Sequence, residues 1–183
     1  MGTGWQDWFG TFTGVVLITV AALPLAALAV WALARRRSAA GATPAWRMSL
    51  AEVGIVYGTV PWVWMILLPG ERAGDVAGRL SLVPLRDLVT IVSDGRPLTL
   101  TVQVVGNLLV FASLGYFAPQ RFAALASVPR ILALAAACSV LVEAAQYVLR
   151  LDRVSSVDDV LLNAVGAGLA AMASRRRWHR QLY

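Results

Sequence analysis

The feature that most constrains this chain is a series of long apolar runs separated by clusters of arginine. Five stretches qualify: residues 13–34, 50–68, 98–119, 129–149 and 157–174. A helix rises 1.5 Å per residue, so about 20 apolar residues cross the hydrocarbon core of a bilayer. The first four meet that length. The uninterrupted apolar part of the fifth, residues 160–173, has 14 residues, so it spans only with Asp158 and Asp159 at the interface. A water-soluble fold is excluded by the same pattern. Only 14% of the 183 residues are charged, too few to cover a solvated surface of ordinary composition. The expected fold is therefore all-α, a polytopic transmembrane helical bundle of five spans. Pro24 and Pro61 fall inside apolar runs and are read as kinks, which lipid-buried helices tolerate.

Arginine placement gives an orientation. All sixteen basic residues are Arg. Ten of them, Arg35, Arg36, Arg37, Arg47, Arg121, Arg130, Arg175, Arg176, Arg177 and Arg180, fall on one side of a five-span alternation. Eight of the acids, with Asp7 among them, fall on the other. The N-terminus is thus expected outside and the C-terminus in the cytoplasm of a cell membrane. Residues 13–34 are not expected to be cleaved as a signal peptide, because arginines follow the apolar run and none precede it. The net charge of +6 does not point to nucleic acid, since the arginines flank hydrophobic segments. Cys138 lies inside an apolar run as a small filler, His179 alone builds no metal site, and neither metal nor cofactor is expected. The basic tail is expected to set orientation and touch anionic lipid. Between spans two and three, apolar residues from Leu80 to Val92 alternate with Arg79, Arg86, Asp87 and Asp94, and Pro84 can open a helix. That loop is expected to lie in the outer interface.

Ionisable and amide side chains inside membrane helices mark function by default. Glu143 and Gln146 are three apart and share a helical face. Arg150 and Arg153 continue that face if the helix extends outward. Asp159 and Asn163 are four apart, with Gly166 and Ala170 following on the same side. Gln103 and Asn107 are also four apart. Depth from the outer helix ends is roughly 5 Å for Gln146, 9 Å for Glu143, 8 Å for Asn163 and 13 Å for Asn107. Asp158, Asp159 and Arg153 would stand at the mouth. The expectation is one outward-facing polar pocket formed by Asn107, Glu143, Gln146, Arg153, Asp158, Asp159 and Asn163. Its architectural alternative is helix-to-helix hydrogen bonding. For Glu143 that alternative is an ion pair with Arg153 or Arg150, or a protonated acid bonded to Gln146.

These residues also carry a family resemblance. Glu143-Ala-Ala-Gln146, then Arg153, then Asp158-Asp159-Val-Leu-Leu-Asn163-Ala-Val-Gly166 resembles the signature of VanZ-like membrane proteins. Asn107-Leu-Leu-Val-Phe111 with Gly115 is similar to an upstream helix of that family, and Ser81-Leu-Val-Pro84-Leu to its outer-loop segment. The resemblance covers about residues 50–173. It divides the chain into an N-terminal helix with an Arg-rich linker (1–49), a four-helix core (50–174) and a basic tail (175–183). Ser81, Ser113 and Ser156 depart from the family pattern, where Asn, Pro and Asp are usual. The resemblance implies a protein at the outer face of the bacterial cytoplasmic membrane that raises resistance to teicoplanin, a lipoglycopeptide, and brings no established reaction with it. Three functions are weighed on this basis. The first is an envelope protein that lowers sensitivity to membrane-anchored antibiotics. The second is an intramembrane enzyme on a lipid-linked envelope molecule, with Glu143 or Asp159 as general acid or base and Arg153 holding a phosphate or carboxylate. The third is a proton-coupled carrier using Glu143, which the lack of repeats and paired broken helices disfavours. Partners in the first two are membrane lipid and either a lipoglycopeptide or a lipid-linked envelope molecule. The oligomeric state is not readable from the sequence.

Overall fold

A computed structural model describes residues 10–95 and 97–182, with side chains as far as Trp178. Asp7, Arg96 and the side chains of His179 and Arg180 lie outside the described residues. The helices follow the apolar runs: α1 (Phe12–Ala21), α2 (Leu23–Ala39), α3 (Ala45–Ile66), α4 (Arg86–Ser93), α5 (Pro97–Val110), α6 (Ala112–Arg121), α7 (Val128–Val148) and α8 (Val157–Leu182). Four segments are long and apolar enough to cross a membrane: Ala45–Ile66, Pro97–Arg121, Val128–Val148 and Val157–Trp178. The pair α1 and α2 adds a fifth if its two halves, bent by 41°, form one span. The fold is thus an all-α polytopic bundle.

The bend between α1 and α2 falls at Ala22, with Pro24 in the first turn of α2. Proline has no N–H to give and fits most readily where a helix begins. Pro61 behaves differently, because α3 runs through it unbroken. Between α5 and α6 the chain breaks at Phe111 (φ −111°, ψ 13°), a break that no proline announces.

Helix α8 is the centre of the packing, against α5, α6 and α7. Two glycines set how close its neighbours come. A Cβ at Gly166 would run into the backbone of Leu108 in α5, and one at Gly115 in α6 would run into that of Ala167. Helices meet this closely when small residues let their backbones touch. Around these contacts Val110, Phe111, Ala118, Ile131, Ala135, Ala167 and Ala171 form the buried core.

The two ends of the bundle differ. One end, the arginine end, carries Arg35, Arg36, Arg37, Arg47, Arg121, Arg130 and the start of the basic tail. The other, the ribbon end, carries two short strands, β1 (Arg79–Ser81) and β2 (Val154–Ser156), paired in parallel with Leu80 opposite Ser155. The segment expected to alternate along an interface is therefore β1 followed by the helix α4.

Candidate functional site

The polar residues of the ribbon end sort into distinct bonded groups. Asp158, in the first turn of α8, is fully buried. Its carboxylate accepts the backbone N–H groups of Leu85, Asp87 (3.0 Å) and Leu88 (3.3 Å). Helix α4 has no side-chain cap of its own, and Leu85 before it is left-handed (φ 64°). Asp158 therefore caps α4 from another part of the chain, meeting orphan donors that a helix start always leaves. Asp87 accepts from the hydroxyls of Ser81 (2.9 Å) and Ser156 (2.5 Å), and Ser156 also accepts the N–H of Asp158 (3.1 Å). Ser81 and Ser156, the two departures from the family pattern in this region, thus share one acceptor. Asp158, expected to stand at the mouth of a pocket, does lie in the first turn of α8, but three backbone donors draw its carboxylate inside, where it lines no pocket with Glu143.

Asp159 faces the other way, toward α5. Its carboxylate accepts from the amides of Asn107 (2.8 Å) and Gln103 (3.4 Å). Asn163, one turn deeper and buried, donates to Ser139 of α7 at 2.7 Å, while its Oδ1 is buried without a partner among the described residues. Gln146 donates to the Ile66 carbonyl at 2.7 Å, satisfying one of the acceptors that the end of α3 leaves over.

Glu143 lies between α7 and the ribbon. Its carboxylate accepts the N–H of Ser156 at 2.9 Å, and the Ser155 hydroxyl donates to the Glu143 carbonyl at 2.9 Å. No ion pair forms with Arg153 or Arg150, neither of which lies within 4.0 Å of a carboxylate among the described residues. The expected pairing fails because α7 ends at Val148 and the chain then turns through two left-handed residues, Arg150 (φ 51°) and Asp152 (φ 54°). The helical face that would have carried Arg153 back to Glu143 does not exist. Arg153 instead donates to the Leu68 carbonyl at 3.4 Å, lies 6.0 Å from the Phe12 ring, and keeps a buried Nε without a partner.

Glu143 lines a cleft of about 300 Å³ between α7, the start of α8 and β1. Ser155 and Ser156 stand beside it; Leu80, Leu82, Val140 and Tyr147 make the apolar wall. Of the seven residues expected to share a pocket, Glu143 lines this cleft. Asn107 and Asp159 are bonded to each other, and Gln146, Arg153, Asp158 and Asn163 are each engaged elsewhere. Among the described residues no three His, Cys, Asp or Glu side chains are grouped to hold a metal. The cleft can take an apolar body: its exposed lining is almost wholly apolar, Glu143 lies among the lining residues, and the hydroxyls of Ser155 and Ser156 are engaged by the Glu143 carbonyl and by Asp87.

Two further groups escaped the sequence reading. Asp152 clasps the two ribbon-end loops, accepting from the Arg72 side chain and backbone and pairing with Arg72 (3.2 Å) and Arg79 (3.4 Å). Desolvation pushes the Asp152 carboxyl up, but the Arg72 hydrogen bonds and the charges of Arg72 and Arg79 outweigh it and hold it below the ordinary carboxylate value. At the arginine end Glu52 bridges Arg37 and Arg121, each at 2.5 Å. Arg37 also donates to Ser49 (2.8 Å). The signal for the second group was available, since Glu52 is the lone acid on a side crowded with arginine.

Comparison with known proteins bears on these residues directly. The family model described as VanZ/LLP1 matches residues 55–177. That range includes the α7, β2 and α8 segments that build the cleft, and excludes α1 and α2. No curated protein and no solved structure matches the chain.

Proposed function

Because this chain belongs to the VanZ/LLP1 family, we propose that it is a cell-envelope protein that lowers bacterial sensitivity to lipoglycopeptides of the teicoplanin type. In this reading the ribbon end faces the exterior, as the arginine bias of the opposite end favours. The observation that carries the reading is the Glu143 cleft. It lies at the ribbon end of two spans, has apolar walls, and counts Glu143 among its lining residues. The acyl chain of a lipoglycopeptide suits those walls, since concave, mostly apolar sites of about this size take such groups. An intramembrane reaction on a lipid-linked envelope molecule is the second reading. One observation favours Glu143 over Asp159 as its acid or base: Glu143 lines the cleft and its carboxylate accepts one backbone N–H, whereas that of Asp159 is held by two side-chain amides.

The test is expression in a teicoplanin-sensitive bacterium, with inhibitory concentrations measured for teicoplanin and for a glycopeptide lacking an acyl chain. The wild-type chain should raise the teicoplanin value selectively, and Glu143→Gln, at matched membrane abundance, should not. Equal protection by Glu143→Gln removes the cleft from the account. A change in mass of a lipid-linked envelope molecule that requires Glu143 establishes the enzymatic reading.

A further inference from the structure

A second cavity, about 430 Å³, lies between α2 and α3, away from the Glu143 cleft. On one side it is lined by Ala22, at the bend, and by Leu25, Ala26, Ala29 and Leu33 of α2, whose spacing keeps them on one helical face. On α3 it meets Glu52, Val53, Val56 and Tyr57. Small residues such as these three alanines ordinarily let helices pack closely. Here they line an open groove, on the bent pair, whose α2 half is also held at the arginine end by Arg37, Glu52 and Ser49. Leu25 and Val56 on its rim are 68% and 61% exposed, so in a bilayer the groove opens onto lipid.

We infer that this groove is a binding site for one acyl chain of an anionic phospholipid, with the headgroup against Arg36 and Arg37. Three observations carry it. First is length: from Ala22 to Leu33 the groove runs about 16 Å along the helix, roughly half of a 30 Å hydrocarbon core, the depth that a single leaflet supplies. Second is shape: a groove of about 430 Å³, apolar along most of its length and open on one side to lipid, suits a single flexible chain laid along it. Third is charge. The groove face continues at i+3 and i+4 from Leu33 onto Arg36 and Arg37. Arg37 and Arg121 share the one carboxylate of Glu52, which leaves the cluster positive, and Arg36 beside it is exposed and in no ion pair among the described residues. A phosphate on the end of the acyl chain meets that surplus. The α2 side of the site lies outside the matched family range, while Val56 and Tyr57 of α3 fall within it; the site stands independently of the role given to Glu143.

The experiment is native mass spectrometry of the full chain, released from micelles holding equal amounts of phosphatidylglycerol and phosphatidylcholine. The wild type should retain one phosphatidylglycerol per chain, preferred by about tenfold, the scale that one or two arginines near an anionic group contribute. Ala29→Phe, which fills the groove, should abolish retention while thermal unfolding shows the bundle intact. Arg36→Gln should keep a lipid but lose the preference. Equal retention of both lipids by the wild type overturns the inference, as does undiminished retention by Ala29→Phe. A lipid-free dimer cross-linked through Ala26→Cys overturns it in favour of a second copy. Should Ala29→Phe fail to fold, Arg36→Gln decides, and an unchanged preference rejects the site.

Discussion

The carboxylate of Asp158, in the first turn of one membrane helix, accepts the backbone N–H of Asp87 at 3.0 Å, across a separation of 71 residues. This relationship makes the ribbon-end loop part of the bundle. Asp158→Ala leaves buried backbone donors unmet, and the expected loss is about 1–3 kcal/mol. Asp158→Asn keeps one acceptor oxygen and should lose less. Thermal unfolding in detergent, with limited proteolysis around Asp94, reads both. Unchanged cleavage in Asp158→Ala would show that the cap does not hold α4.

Gly166 and Gly106 make a matched pair for testing the packing of α8. A Cβ at Gly166 meets the Leu108 backbone, with its carbonyl carbon 2.6 Å away, while a Cβ at Gly106 meets nothing within 4 Å. Gly166→Ala should destabilise the bundle by about 3 kcal/mol or more, since neither backbone can yield cheaply. Gly106→Ala should be neutral or slightly stabilising, because helical glycine carries an entropic cost. Equal melting temperatures for the two variants would refute the close approach of α5 and α8.

The Asp152 clasp should respond to acid in a defined direction. Its carboxyl is held below the ordinary value by Arg72 and Arg79. A depressed native pKa means that the contribution is fully present above the unfolded pKa, ordinarily about 4, and is lost as pH falls through the lower native value. Hydrogen exchange at Gly70 and Gly74, whose N–H groups bond to Leu151 and Arg150, should therefore show constant protection from neutrality down to mildly acidic pH and lose it only under strong acid. Salt should loosen the clasp as well, since Arg72 and Arg79 are exposed. Loss of protection between pH 6 and 7 would contradict the assignment.

Orientation is checked by reporter fusions. Those placed after Arg37, Gln120 and Arg177 should read cytoplasmic, and one at Asp94 should read external. A cytoplasmic reading at Asp94 would place the Glu143 cleft on the inner side and end the proposed contact with an external drug.

The bundle was legible in the sequence because each span announces itself through length and apolarity, even the fifth, where Asp158 and Asp159 shorten the run. The pairing of Glu143 was not. It depended on whether the α7 face continued to Arg153, and two left-handed residues at Arg150 and Asp152 decide against it. Neither residue is glycine, so nothing in the composition marks the turn. Asp158 misled for a related reason: its partners are backbone N–H groups, which every sequence contains and none displays. Residues 80–92 read as alternating, yet only Arg79–Ser81 is extended. Pro84 did mark the start of α4, because a proline suits the approach to a first helical turn.

The ribbon has a mechanical consequence. Strand β2 passes directly into α8, and β1, bonded beside it, leads to the helix that Asp158 caps. Residues 79–88 therefore act as a strap fastened to the head of α8. A pull on that strap at the membrane surface is delivered along the axis of the helix whose backbone touches α5 at Leu108 and α6 at Gly115. Those contacts are too close to slide, so a load applied at the surface would reach the middle of the bundle as a displacement of whole helices.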